Sequence, residues 1–187
     1  AKLGWIRQQQ KKLREQARET PREYLERESH FVWGRRYLLV IKEREAPAGI
    51  DLKHGRMLLG VRAGADSKAR EEVVAQWYRD QVRAAVPELI AKWERVLGVA
   101  VAGVFVRQMK TKWGSCNSRA RTIRLNTELA KKPKDCLDYI VLHEMIHFIE
   151  PTHNARFVAL MDRFMPKWQF CRQKLNRLPV RHADWEY

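Results

Sequence analysis

The sequence predicts an α+β protein in which a small antiparallel or mixed sheet packs on a ligand-bearing helix, with additional helices around it. Three observations carry this. β-Branched and aromatic residues gather in short runs punctuated by glycine before residue 62, and again between Val99 and Asn126. Apolar residues recur at three-to-four spacing from Ser67 to Leu97. A second helical segment, from about Lys134 to Glu150, contains His143-Glu144-Met145-Ile146-His147, and His153 follows six residues later.

The bulk properties suit one folded body. A chain of 187 residues with 45% hydrophobic content and seven tryptophans can bury a real core, and it is short for two domains. We expect residues 1–65 to hold an N-terminal helix and β-hairpins, and residues 66–187 to form the catalytic region, the two parts making one compact domain. No apolar run approaches the roughly 20 residues of a membrane helix, so no membrane partner is expected. The first residues, Ala1-Lys2-Leu3-Gly4-Trp5-Ile6, lack the apolar core of an export signal, and no initiator methionine precedes them. Cys116, Cys136 and Cys171 are odd in number and irregularly spaced. They form neither a disulfide framework nor a C-x-x-C pair, and the expected compartment is the cytoplasm.

Taken in order, Leu3, Ile6, Leu13 and Ala17 predict a helix over residues 2–19, stopped by Pro21. Phe31-Val32-Trp33, a turn at Gly34-Arg35 and Tyr37 to Ile41 predict a hairpin. Ile50 to Leu52 and Met57 to Val61, flanking His54-Gly55, predict a second. Over Ser67–Leu97, Val73, Val74, Trp77, Tyr78, Val82 and Val86 line one face. Pro87 is expected to divide or kink this helix, and Gly98 to close it. Val99 to Met109 predicts a strand, Trp113 to Ser118 a turn region, and Thr122 to Asn126 a partner strand. Pro133 opens the histidine helix and Pro151 ends it. Residues 154–164 and 167–177 read as two further helices separated by Pro166.

Net charge is +15, and it is unevenly spread. Between Phe105 and Lys134 lie Arg107, Lys110, Lys112, Arg119, Arg121, Arg124, Lys131, Lys132 and Lys134, opposed only by Glu128. Such a field attracts nucleic acids, nucleotides or acidic proteins. It also suits a merely solvated surface.

Histidines four apart on a helix share one face, so His143 and His147 can reach a single Zn²⁺ at about 2.0–2.1 Å. Glu144 lies between them, placed to take a proton from water activated by the metal. Three readings compete: a catalytic metal site, a structural one, or a histidine cluster without metal. The apolar neighbours Leu137, Ile140, Val141, Met145, Ile146, Phe148 and Ile149 favour a metal, because buried histidines and a buried carboxylate are costly without one. For the third ligand, Glu150 on the same straight helix would lie about 10 Å along the axis from His143. Pro151 forces a turn that can swing His153 back instead. His153 is therefore the third ligand, and Glu150 a supporting partner of the ligands or a surface charge. The spacing equals that of the metzincin pattern H-E-x-x-H-x-x-G-x-x-H, but Glu150 replaces its glycine and no Met-turn follows. Tyr139, one turn before His143, is a candidate donor to a developing oxyanion, or a core tyrosine. His30, His54 and His182 are expected at the surface or in caps.

The segment from Arg107 to Leu175 resembles the YgjP-like family of metal-dependent hydrolases, related to the SprT-like and WLM minimal zincins. The matching blocks are Lys112-Trp113-Gly114-Ser115-Cys116, Arg124-Leu125-Asn126, Leu137 to Val141, His143 to His147, His153 to Phe157 and Pro166-Lys167-Trp168. Gly4-Trp5-Ile6 and Gly34 to Tyr37 extend the match more weakly upstream. The resemblance implies a zincin-like fold, zinc ligands at His143, His147 and His153, and Glu144 as general base. It also implies that the W-G-S-C block belongs to the sheet beside the active-site helix. Trp113, Ser115 and Asn126 are thereby candidates for touching substrate or supporting the site. Family members usually carry more β-rich sequence upstream, so an unpaired sheet edge is expected here.

Three functions follow as expectations. The first is a zinc metallopeptidase acting on polypeptide. The second is a metal-dependent nucleoside triphosphate pyrophosphatase of UTP type, an activity the resemblance carries and the basic run suits. The third is a nucleic-acid-binding module with structural zinc, disfavoured by the free fourth position that three histidines leave.

Overall fold

The computed structural model describes residues 22–177. The helix expected over residues 2–19 lies outside the described residues, as does His182.

Strands β1 (Ser29–Val32), β2 (Arg35–Glu43), β3 (Gly49–Lys53) and β4 (Arg56–Val61) form a four-stranded sheet in the order β1-β2-β4-β3. The two expected hairpins are its antiparallel pairs, and a parallel β2–β4 pairing joins them. Both hairpins turn on an X-Gly pair with positive φ at each residue: 49° and 80° at Trp33-Gly34, 46° and 75° at His54-Gly55. This is the turn whose twist matches that of the strands, and it needs glycine at its second position. Gly34 is required twice over, because a Cβ there would lie 2.7 Å from Cγ of Pro133.

Helix α1 (Ser67–Leu97) packs against β3, β4 and the second sheet alike. Asp66 caps its start by accepting from the Ala69 N–H at 2.8 Å, and Gly98 ends it in the left-handed conformation at φ 66°. Pro87 lies inside this helix without dividing it. Val74, Tyr78, Val82, Val86 and Trp93 are buried along one side, and this packing on both flanks of Pro87 offsets its missing hydrogen bond.

The second sheet contains β5 (Gly103–Arg107), β6 (Gly114–Asn117) and β7 (Thr122–Asn126) in the order β5-β7-β6. β5 is parallel and β6 antiparallel to β7. The strand expected over Val99 to Met109 is confined to its middle, and Trp113 to Ser118, expected as a turn region, holds β6. Small residues there suggest a turn locally. Their size instead serves close packing beneath a helix.

A 3-10 turn (Thr127–Lys131) leads into helix α2 (Lys134–Ile146), followed by α3 (Ala155–Phe164) and α4 (Trp168–Arg177). The turn is tied to the first hairpin: Trp33 and Gly34 donate to the carbonyls of Ala130 (2.7 Å) and Lys131 (3.2 Å). Asp138 of α2 accepts from Lys92 Nζ at 2.7 Å and Trp93 Nε1 at 2.6 Å, which locks α2 against α1. Helix α2 stops four residues short of the expected Glu150. The tightened turn beyond it (Phe148 N–H to Met145 O at 3.0 Å, Ile149 N–H to Ile146 O at 2.9 Å) already redirects the chain before Pro151.

Two expectations about polar residues are corrected. His30 is fully buried, with Nε2 3.1 Å from Glu28 Oε1, rather than lying at the surface. Lys131 and Lys132 are also buried. Lys131 pairs with Glu128 at 2.7 Å and Lys132 lies over the Trp113 ring at 5.5 Å, so neither contributes to an exposed basic field.

Candidate active site

Helix α2 and His147, its C-cap residue in right-handed helical conformation, present His143 and His147 on one side, as the four-residue spacing requires, and the turn after them returns His153. Nε2 of His153 lies 3.0 Å from Nε2 of His143 and 3.2 Å from Nε2 of His147. The three form a group whose ligand atoms all lie within 4.8 Å of one another. Zn–N bonds of 2.0–2.1 Å in a tetrahedron would set ligand nitrogens about 3.3 Å apart, so the two shorter separations suit a shared cation.

Protonation supports the fit. Nδ1 of His147 lies 3.0 Å from the carbonyl oxygen of Glu150. A carbonyl can only accept, so Nδ1 carries the hydrogen, which leaves Nε2 as the atom that faces the other two imidazoles. Glu150 thus serves His147 through its backbone. Its carboxylate instead accepts from Thr152 N–H (3.3 Å) and Oγ1 (3.0 Å), which holds it below the usual carboxylate range. Burial pushes His143 down to about 3, helped by the charges of His147, His153 and Arg172. Its buried Nδ1 has no hydrogen-bond partner among the described residues. This ring is therefore held as a neutral base.

The floor of the triad is Phe157, fully buried, with ring centroids 5.0, 4.8 and 4.7 Å from His143, His147 and His153. Asn154 places it by capping α3, its side chain accepting from the Phe157 N–H at 3.0 Å. Tyr139 is buried, edge-on to His143 at 5.8 Å and stacked on Trp168 at 6.3 Å. Burial pushes its hydroxyl up to about 12. It props the His143 ring.

Glu144 projects from α2 toward β6. Gly114 and Cys116 of β6 oppose Leu125 and Ile123 of β7, both fully buried, so all four share the face that α2 covers. Built onto Gly114, a Cβ would lie 2.7 Å from Oε1 of Glu144 and 2.8 Å from Cγ2 of Ile140. The Cys116 thiol hydrogen-bonds the same carboxylate. Burial raises Glu144 to about 7, partly countered by Lys112 and by that thiol. Burial and the neighbouring Glu144 charge raise Cys116 to about 11, so the thiol keeps its proton.

The remaining sequence candidates separate. Ser115 opposes the exposed Arg124 on the other face of the sheet, away from Glu144. Asn126 is buried and holds the loop between β5 and β6. Its Nδ2 donates to the carbonyls of Met109 and Lys112, both at 2.8 Å, and its Oδ1 accepts from the N–H groups of Met109 (3.3 Å) and Glu128 (3.1 Å). It thereby fixes the backbone at Lys112. Trp113 is half-buried under Lys132. Sequence reasoning does not single out Phe157, Arg172 or Cys116 for the site. Phe157 and Cys116 stand inside the matching blocks, whereas Arg172 comes from α4 and carries no local signal.

Among solved structures, the chain is similar to the metallopeptidase zymogen abylysin of Pyrococcus abyssi (20% identity, 55% of this chain and 99% of that chain, TM-score 0.40). It is also similar to the zymogen jannalysin of Methanocaldococcus jannaschii (22% identity, 52% and 92%, TM-score 0.38). No curated protein matches it significantly. The family model described as YgjP-like, metallopeptidase domain, matches residues 1–178, and the chain belongs to that family of metallohydrolases.

Proposed function

We propose that the chain is a zinc peptidase in which His143, His147 and His153 hold the metal and Glu144 is the general base. The observation that carries this is the convergence of three imidazole nitrogens beside a buried carboxylate on the residue next to His143. Bound there, Zn²⁺ supplies Lewis acidity toward water and toward the oxygen of a scissile carbonyl. Glu144 takes up a proton at its carboxylate and returns it to the departing amine. A proton affinity near neutrality suits both transfers. Phe157 shields the histidines from water on one side, and the Glu150 carbonyl keeps His147 in its ligand tautomer. Among the described residues β6 is an outer strand of its sheet, and that edge suits an extended polypeptide bound by strand addition. Arg172, whose charge reaches His143 and His153, is better placed than buried Tyr139 to stabilise a developing oxyanion. The described parts of residues 1–65 and of residues 66–187 act as one body in this reading, because α1 packs on both sheets.

One observation favours a second reading, hydrolysis of a nucleoside triphosphate to release pyrophosphate. The positive charges of Lys112 and Arg172 reach Glu144 and His143, and phosphate recognition uses such cations. The purified protein, its metal content first measured, is offered unfolded casein and UTP, alongside Glu144→Gln. Peptide cleavage lost in Glu144→Gln with zinc retained is expected. Pyrophosphate release from UTP without peptide cleavage would make the second reading correct. Hydrolysis of neither leaves only a structural zinc site.

A further inference from the structure

The face of the second sheet turned away from Glu144 has a composition that the peptidase reading does not use. Strand alternation and register put Gly103, Phe105 and Arg107 of β5, Thr122 and Arg124 of β7, and Ser115 and Asn117 of β6 on this side. Phe105 is 46% exposed, an unusual fate for a phenylalanine in the middle of a strand. Its ring edge lies about 4 Å from the position a Gly103 Cβ would take. The aromatic therefore extends along the sheet over a residue without a side chain. Arg124 is its direct cross-strand neighbour and Arg107 follows two residues along the same strand, both exposed.

Charge continues at both ends of this face. The loop after β5, pinned by Asn126, carries exposed Lys110 and Lys112, and the β6–β7 turn carries exposed Arg119 and Arg121. Residues 99–127 contain no aspartate or glutamate. Among the described residues, none of these six cations forms an ion pair, although Arg121 lies 5.3 Å over the Phe148 ring. Arg and Lys elsewhere in the fold are often paired with carboxylates, as Lys92, Lys131 and Lys174 are.

We propose that this outer face, centred on Phe105 with Arg107 and Arg124, binds single-stranded nucleic acid. A base stacks on Phe105 while the flanking phosphates meet the arginines and the cations of the two end loops. Aromatics on a β-surface lined with unpaired Arg and Lys are what sequence-tolerant single-strand binding needs. An acidic polypeptide would use the same cations but has no need of an exposed aromatic ring. Duplex DNA would bury its bases away from Phe105. Phe105, Arg107 and Arg124 lie on the sheet face opposite the one that meets Glu144, so substitutions there are separable from the hydrolytic site, which the charge of Lys112 also reaches.

The test is fluorescence anisotropy of a labelled 20-nucleotide single-stranded DNA, and of RNA of the same sequence, with the full chain from 50 to 200 mM salt. Phe105→Ala, Phe105→Trp, Arg107→Ala/Arg124→Ala and the control Arg56→Ala, in the other sheet, are compared, with circular dichroism as a fold check. Phe105→Ala is expected to weaken binding about tenfold, within the range for loss of one stacked base, while Phe105→Trp retains it. The double arginine variant should flatten the slope of log K against log salt by about 1.4, roughly 0.7 for each phosphate no longer neutralised. Arg56→Ala should do neither. The proposal is overturned if the wild-type protein binds neither oligonucleotide at 50 mM salt. Equal binding by Phe105→Ala and the wild type overturns it as well. So does polyglutamate displacing the oligonucleotide from wild type and Phe105→Ala alike, which would make the face a site for acidic protein.

Discussion

Gly114 leaves room for Glu144: any side chain at position 114 would put a carbon 2.7 Å from the carboxylate oxygen Oε1. The general base of the proposed reaction is thus positioned by a strand that does not carry it. Cys116, two residues on and on the same face, completes the cradle through its thiol.

This predicts that Gly114→Ala retains zinc and most of its fold but loses activity. The atoms met are Oε1 and Cγ of Glu144 and Cγ2 of Ile140, all within 2.9 Å, so the Glu144 side chain is displaced along its length. The general base then leaves its place, and general-base catalysis is worth about 10²–10⁴-fold. Turnover, set against zinc stoichiometry, checks it; wild-type turnover in this variant would remove the positional role of β6.

The two carboxyl-side candidates divide cleanly. His153→Ala should lose tight zinc binding, since it removes one of three ligands. Glu150→Ala should keep it, because His147 is oriented by the Glu150 backbone carbonyl and not by its carboxylate. Elemental analysis after dialysis against a weak chelator measures both. Absence of zinc from Glu150→Ala and its retention by His153→Ala would exchange the two assignments.

Metal-free protein should show opposing pH dependences. Glu144 is raised from 4.5 to about 7, so the native state holds its proton after the unfolded state has released it. Its contribution to stability therefore falls between pH 4.5 and 7. His143 is lowered from 6.5 to about 3, so the native state has already released a proton that the unfolded state still binds. Its contribution rises between pH 3 and 6.5. In the overlap, pH 4.5 to 6.5, the two largely cancel. Glu144→Gln should unmask the histidine, gaining about 2–3 kcal/mol relative to wild type across that interval, at about 1.4 kcal/mol per pKa unit. Urea unfolding in a chelator at three pH values tests it; parallel wild-type and variant curves would contradict the burial of Glu144.

Asn126→Ala should cost about 2–4 kcal/mol, because four hydrogen bonds of a buried side chain are removed and backbone groups are left unsatisfied. Activity should fall further than stability explains, since the loop carrying Lys112 is released near Glu144. A variant as stable as wild type would show that the loop holds itself.

Arg172→Gln should lower kcat with little change in KM if Arg172 stabilises the developing oxyanion, and zinc should bind at least as tightly once a nearby positive charge is gone. Unchanged kcat would leave that charge without a catalytic part.

The local features of this fold were legible in the sequence because their causes are local. Four-residue spacing aligns His143 and His147 regardless of context, and glycine-marked turns between β-rich runs give the two hairpins, although the first turns at Trp33-Gly34 rather than the expected Gly34-Arg35. Tertiary packing decided the rest. It made Gly114 to Asn117 a strand, because only the pairing with β7 and the pressure of α2 explain residues that small. It kept α1 whole through Pro87, buried Lys131 and Lys132, and joined the two hairpins by a parallel pair. It also brought Phe157 beneath the histidines. The histidine motif is a property of one helix. The cradle around the Glu144 carboxylate joins that helix to Gly114 and Cys116 on a strand far from it in sequence, and only folding brings them together.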